Sequence, residues 1–314
     1  MNKKAAIIAG VAIVGLIGAF ALGGKDKAPE TEVKGTEIVT VQDENGEVKV
    51  TKNPERVVTF DYGTLDILDN MGVDVIGLPK KSVPEYLAKY KEDKYGDVGG
   101  LKEPDFEAIN ELNPDLIIIS GRQADMYDKF AQIATTVYLS VDGSDYLNDF
   151  SRNLDVLGKI FGKEDFVKEE LANLTKQMDE VKAMAQEKNV TALTTMVSEG
   201  NISVFSDKSR FGLIYNQLGV TNKDASIEES NHGQQVTFEY IAEQNPEYLF
   251  VVDKGSATGG EGTAKALFDN DLIKSTDAYK NDKIVYLDSA AWYVVAGGLD
   301  STETMINNIK DAIK

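Results

Sequence analysis

The chain of 314 residues contains no cysteine, one histidine, one tryptophan and seven prolines. Without a thiol there is no disulfide, thiolate nucleophile, iron–sulfur cluster or cysteine zinc site, and one histidine cannot build the three-histidine cluster of many transition-metal centres. Positive charge is also scarce: 33 Lys and Arg stand against 52 Asp and Glu, a net charge of −19. That deficit excludes a general nucleic-acid binder, which needs a dense basic footprint to displace phosphate counterions. What is present is an ordinary globular composition, 42% hydrophobic and 8% aromatic. The length suits one large or two medium domains.

Residues 1–25 form a separate segment. Lys3 and Lys4 precede an uncharged run from Ala5 to Gly24, which Lys25, Asp26 and Lys27 end. This pattern predicts a secretory signal peptide or an N-terminal membrane anchor, since roughly 20 apolar residues reach across a bilayer. A bacterial lipoprotein would carry a cysteine near Gly24, and none is there. Three readings stay open: an uncleaved anchor, a cleaved signal, or a lipoprotein signal whose acceptor cysteine has been replaced. Residues 26–52 are polar and acidic and read as a tether followed by a short hairpin, Glu37 to Val41 and Val48 to Thr51, around Asn45-Gly46.

The body carries an internal repeat. Phe106-Glu107-Ala108-Ile109-Asn110-Glu111-Leu112-Asn113-Pro114 and the apolar run to Ile119 match Phe238-Glu239-Tyr240-Ile241-Ala242-Glu243-Gln244-Asn245-Pro246 and the run to Val251 at a constant offset of 132. Each copy reads as an amphipathic helix, an Asn-Pro break and a strand buried on both faces, as in a parallel sheet. Further strand candidates are Arg56 to Phe60, Val75 to Leu78 and Val137 to Val141, then Leu193 to Val197, Ile202 to Phe205 and Ile284 to Leu287. Between the halves, Val167, Leu171, Leu174, Met178, Val181 and Met184 recur at helical spacing in a stretch without Gly or Pro. The expected fold is α/β: two similar α/β lobes with parallel-rich sheets flanked by helices, at 53–163 and 189–314, joined by one long helix at 164–188, with a cleft between the lobes.

In such sheets a ligand lies beyond the carboxyl ends of the strands. The loops after the repeated strands place Arg122 and Lys254 at equivalent positions. The lone histidine, His232, precedes the second repeat helix, opposite Gly100 and its neighbour Lys102 in the first copy. The only tryptophan stands in Ala291-Trp292-Tyr293, after the last strand candidate. On residue type and spacing alone, each also fits a bland reading: solvated cations, a surface histidine, a packed aromatic corner.

Residues Pro54 to Gly63, Asp97 to Asp105, Ser209-Arg210-Phe211-Gly212, His232-Gly233-Gln234 and Trp292-Tyr293 carry a resemblance. From about Asn53 onward the chain resembles the substrate-binding proteins of bacterial iron–siderophore ABC importers, most closely the group that takes petrobactin and other catecholate siderophores. The resemblance implies two lobes on a rigid helix and a shallow cleft. It also implies three cations around the ferric complex, which fall on Arg122, Arg210 and Lys254, the last usually Arg in that group. His232 and Tyr293 would complete the iron shell when the siderophore offers only four oxygens. Lys102 is a fourth candidate cation, and Tyr62 and Trp292 are candidates to pack on ligand rings. Ferric iron favours six hard donors and accepts imidazole, and cations neutralise the anionic complex in a partly dry cleft. No intrinsic cofactor is expected; iron arrives with its siderophore as cargo.

Rival functions find less in the chain. A hydrolase would need a nucleophile elbow, but Ser256 has Lys254 two residues before it. The stretch from Gly255 to Lys265 lacks the ending of a phosphate loop. Haem or cobalamin binding in the same importer class is the alternative, because one His and one Tyr can also serve as axial ligands. The resemblance implies a permease and its ATPase as partners, with relatives docking through surface carboxylates, for which Glu103, Glu107 and Glu239 are candidates here; the chain is expected to be a monomer on the extracytoplasmic face of the membrane.

Overall fold

A computed structural model describes residues 37–314. The segment 1–25 and the tether as far as residue 36 lie outside the described residues, and among those described no helix is long and apolar enough to cross a membrane.

The body opens with an antiparallel hairpin, β1 (Ile38–Asp43) and β2 (Gly46–Thr51). Its turn is Glu44-Asn45, one residue earlier than the Asn-Gly pair suggests. The Asp43 carboxylate accepts the Asn45 N–H at 2.8 Å, and Gly46, at φ +115°, opens the return strand with a conformation that side chains disfavour. Val41 and Val50 are buried, and Asp43 accepts the Tyr138 N–H at 2.9 Å. The hairpin is thus packed onto the first lobe instead of continuing a tether.

That lobe is built on β3 (Val57–Thr59), β4 (Gly77–Leu78), β5 (Gly96–Asp97), β6 (Leu116–Ile119) and β7 (Thr135–Tyr138). They form one sheet in the order β5-β4-β3-β6-β7, all parallel. β6 is buried at every position, as its unbroken Leu-Ile-Ile-Ile run requires when helices cover both faces. The second lobe carries β8 (Thr191–Ser198), β9 (Asn201–Phe205), β10 (Thr221–Asn222), β11 (Gln234–Val236), β12 (Tyr248–Asp253) and β13 (Ile284–Tyr286). Their order is β11-β9-β8-β12-β13, with β10 also on β8. This sheet is mixed, because β9 runs antiparallel to β8 and β11 antiparallel to β9.

The repeated unit is visible in both lobes as helix Phe106–Glu111 leading to β6 and helix Phe238–Gln244 leading to β12. Both Asn-Pro breaks act through the asparagine: Asn113 and Asn245 adopt φ of 45° and 44°, the left-handed turn that Asn tolerates. The following proline then prevents the helix from resuming.

The lobes are linked by helix Glu164–Glu187, of 24 residues and about 36 Å. Glu164 and Asp165 open it where the helix dipole favours anions. Val167, Leu174, Met178, Val181 and Ala185 are its buried stripe. A second tie joins first-lobe helix Tyr62–Met71 to the last helix, Leu299–Ile313. Asp66 is fully buried and its carboxylate accepts the N–H groups of Asp300 at 3.0 Å and Ser301 at 2.9 Å, with the Tyr86 hydroxyl at 2.8 Å. It caps the last helix from the other lobe, and burial pushes its pKa up to about 6.

Candidate functional site

Where the strands of the first sheet end, their loops border a cavity of about 980 Å³ whose other wall comes from the second lobe. Several first-lobe contributions follow parallel strands: Asp61 and Thr64 after β3, Lys102 after β5, Ser120 and Arg122 after β6, Ser140 and Asp142 after β7. Parallel strands aim their carboxyl ends at one edge of the sheet, and ligands of α/β folds collect there. The second lobe contributes Arg210 from the loop after β9, His232 from the turn before β11, and Tyr293 from helix Ser289–Tyr293 after β13.

Two guanidinium groups converge on Tyr293. Arg122 Nη2 donates to the Tyr293 carbonyl at 2.8 Å, a hydrogen bond between the lobes. The Arg210 guanidinium carbon lies 4.5 Å from the centre of the Tyr293 ring and 5.8 Å from that of Phe211, within the range of a cation–π contact. Burial lowers the Arg210 pKa, with Tyr293 opposing that shift and the positive charge of Arg122 adding to it. An anion between these cations would relieve their repulsion. Asp61 caps helix Tyr62–Met71 by accepting the Thr64 N–H at 2.8 Å. Burial raises its carboxyl above the usual range, against the pull of the Thr64 N–H and of Arg122.

The lobes meet tightly at the cavity edge. An added Cβ at Gly143 would overlap the Ser209 carbonyl and the Arg210 backbone, and one at Gly63 would lie 2.9 Å from the Ala296 carbonyl oxygen. Only glycine permits these approaches.

The structure therefore brings Arg122, Arg210, His232, Tyr293 and Lys102 together around one cavity. His232 and Lys102 are exposed at its border, while Arg122, Arg210 and Tyr293 are half-buried. Three expected residues do not line it. Lys254 opens the short helix Lys254–Ala257; the carboxylate of Asp253 accepts the N–H groups of Ser256 at 3.2 Å, Thr263 at 2.6 Å and Ala264 at 2.7 Å. The glycine-rich loop thereby curls back on the end of β12. Tyr62 is buried and donates to the Pro79 carbonyl at 2.7 Å. Trp292 is buried, donates to Asn308 at 3.1 Å and meets Phe211 edge to face. It supports the wall that carries Arg210 and Tyr293 from behind. Asp61, Ser120, Tyr138 and Asn231 also line the cavity and were not singled out in the sequence; the N-cap position of Asp61 before an apolar helical run was its one signal.

A periplasmic binding protein family model matches residues 57–291. The chain is 46% identical over 317 residues to the petrobactin-binding protein YclQ of Bacillus subtilis, covering 99% of each. It is 30% identical to the ferric-anguibactin-binding protein FatB of Vibrio anguillarum, over 86% of each. The crystal structure of YclQ superposes with a TM-score of 0.86 at 48% identity, over 88% of this chain and 99% of that one. That of the catecholate-siderophore binding protein VctP from Vibrio cholerae gives 0.83 at 37% identity, over 88% and 100%. Matched along most of its described body and superposing closely on these structures, the chain belongs to the periplasmic binding protein family.

Proposed function

We propose that the chain is the extracytoplasmic binding protein of an ABC importer and captures a ferric siderophore of the catecholate class, petrobactin among them. The observation that carries this reading is the convergence of Arg122 and Arg210 on Tyr293, with His232 and Lys102 on the border of the same cavity. A ferric catecholate is anionic, and cations in a site partly screened from water bind it more strongly than they would in bulk solvent. When the siderophore supplies four oxygens, the Tyr293 phenolate and the His232 imidazole are the donors of suitable type to fill the remaining iron positions. The names of the relatives, petrobactin-binding and ferric-anguibactin-binding among them, support the same substrate class.

In this reading the N-terminal segment exports the protein or tethers it to the membrane, and the monomer presents Glu103, Glu107 and Glu239, all exposed, to a permease that an ATPase drives. The test is a titration of the chain with ferric petrobactin, a ferric bis-catecholate, haem and cobalamin, followed by quenching of Trp292 fluorescence. Saturable quenching by the catecholates is expected. Saturation by haem or cobalamin alone would replace this reading with the other ligand class.

A further inference from the structure

Behind the cavity wall, one buried amide holds two of its loops. Gln123 is 0% exposed and follows Arg122 directly. Its Oε1 accepts the Ser120 N–H at 3.0 Å, closing the turn that carries Arg122. Its Nε2 donates to the carbonyl of Leu101, the residue before Lys102. The Lys102 loop otherwise closes mainly on itself, through the Gly100 and Glu103 backbone bonds of 2.9 and 3.2 Å and the Asp105 N–H to the Val98 carbonyl at 2.9 Å. Leu101 packs half-buried against the core. Among the described residues, the amide of Gln123 makes the side-chain hydrogen bond that fastens the tip of this loop to the lobe.

We infer that Gln123 is a positioning residue that sets Lys102 and Arg122 as a cation pair facing the ligand; this rests on the reading of the cavity as a site for an anionic ferric complex. The chemistry requires an amide, since one end must accept from Ser120 and the other must donate to Leu101. Glutamate keeps the acceptor and sets a second acceptor against the Leu101 carbonyl. Methionine leaves both backbone groups unpaired in a buried place.

The test uses the full chain with Gln123→Glu and Gln123→Met, each alone and combined with Lys102→Met. Gln123→Glu retains the cap at Ser120 and so keeps the experiment decisive where Gln123→Met fails to fold. The first readout is amide hydrogen exchange in the ligand-free protein; Gln123→Glu is expected to speed exchange at residues 101–103 and leave β6 unchanged. The second is affinity for a ferric bis-catecholate, expected to fall about three- to tenfold, as for one buried hydrogen bond. In the Lys102→Met background the same change should cost less than half that factor, because the charge to be placed is gone. Equal losses in both backgrounds, or unchanged exchange at 101–103, overturn the inference. Should the unaltered chain bind no ferric complex, the proposed function fails, and the exchange result alone supports or overturns the tie made by Gln123.

Discussion

Asp66 makes stability of the body rise as the solution becomes mildly acidic. Its carboxylate is fully buried and accepts four donors, yet no cation pairs with it among the described ion pairs. Burial dominates over those donors and moves the pKa from 3.8 to about 6. An acid whose folded pKa is raised favours the fold when protonated. The contribution is fully present below the unfolded value and is lost as pH rises through about 6. Across the whole window it amounts to about 3 kcal/mol, and between pH 7 and pH 5 to about 1.3 kcal/mol, at 1.36 kcal/mol per pKa unit. Asp61 and Asp300 shift in the same direction, so the measurement needs a variant that isolates Asp66. Urea unfolding of the unaltered chain and of Asp66→Asn, followed by Trp292 fluorescence and circular dichroism at pH 7, 6 and 5, supplies it. Asp66→Asn costs stability outright, because its amide faces backbone donors, but it cannot be protonated and should lose the gain assigned to Asp66. An equal gain in both proteins would refute the reasoning.

Three further outcomes follow from the cavity. Replacing His232 and Tyr293 together by Ala and Phe should weaken a ferric bis-catecholate by about a hundredfold and a ferric tris-catecholate by less than about tenfold, since the latter needs no protein donor; titration of both complexes checks this, and equal losses contradict direct iron ligation. Arg122→Met should lower catecholate affinity by roughly tenfold or more and flatten its dependence on salt, because a charge in the site and the bond to the Tyr293 carbonyl at 2.8 Å go together; binding isotherms at two ionic strengths decide it. Gly143→Ala should destabilise the chain by about 1–3 kcal/mol and weaken binding, as its Cβ overlaps the Arg210 backbone; thermal unfolding with and without ligand measures both effects.

Much of the architecture was legible because the apolar pattern is local and strong. The repeated helix-Asn-Pro-strand unit announced β6 and β12, and the three-four spacing of Val167 to Met184 announced the linking helix. The two-residue strands β4, β5 and β10 carry too few side chains to show a period of their own; Val75 to Leu78 brackets β4, but β5 and β10 went unpredicted. β11 was missed as well, since Gln234-Gln235-Val236 has little apolar signal and is held by its pairing with β9. The strand-end rule found Arg122. It gave no separate pointer to Arg210, because β9 runs antiparallel to its neighbour and the rule describes parallel strands. Arg210 came from the likeness of Ser209-Arg210-Phe211-Gly212 to a family instead.

The sequence by itself determined the α/β class, the duplicated unit and the long connecting helix, for these depend on periodicity and turn chemistry, while the candidate ligand-binding set came from the resemblance to a family. Only the tertiary structure decided which of those residues share a cavity. Arg122 and Tyr293 stand 171 positions apart and meet where the two lobes are held together by close glycine contacts and the buried Asp66 cap. Lys254 matches Arg122 in the repeat, yet Asp253 folds its loop back on the strand, and Tyr62 and Trp292 are drawn into the core by their apolar area. Long-range placement of this kind depends on packing between segments far apart in the chain, which no local pattern encodes.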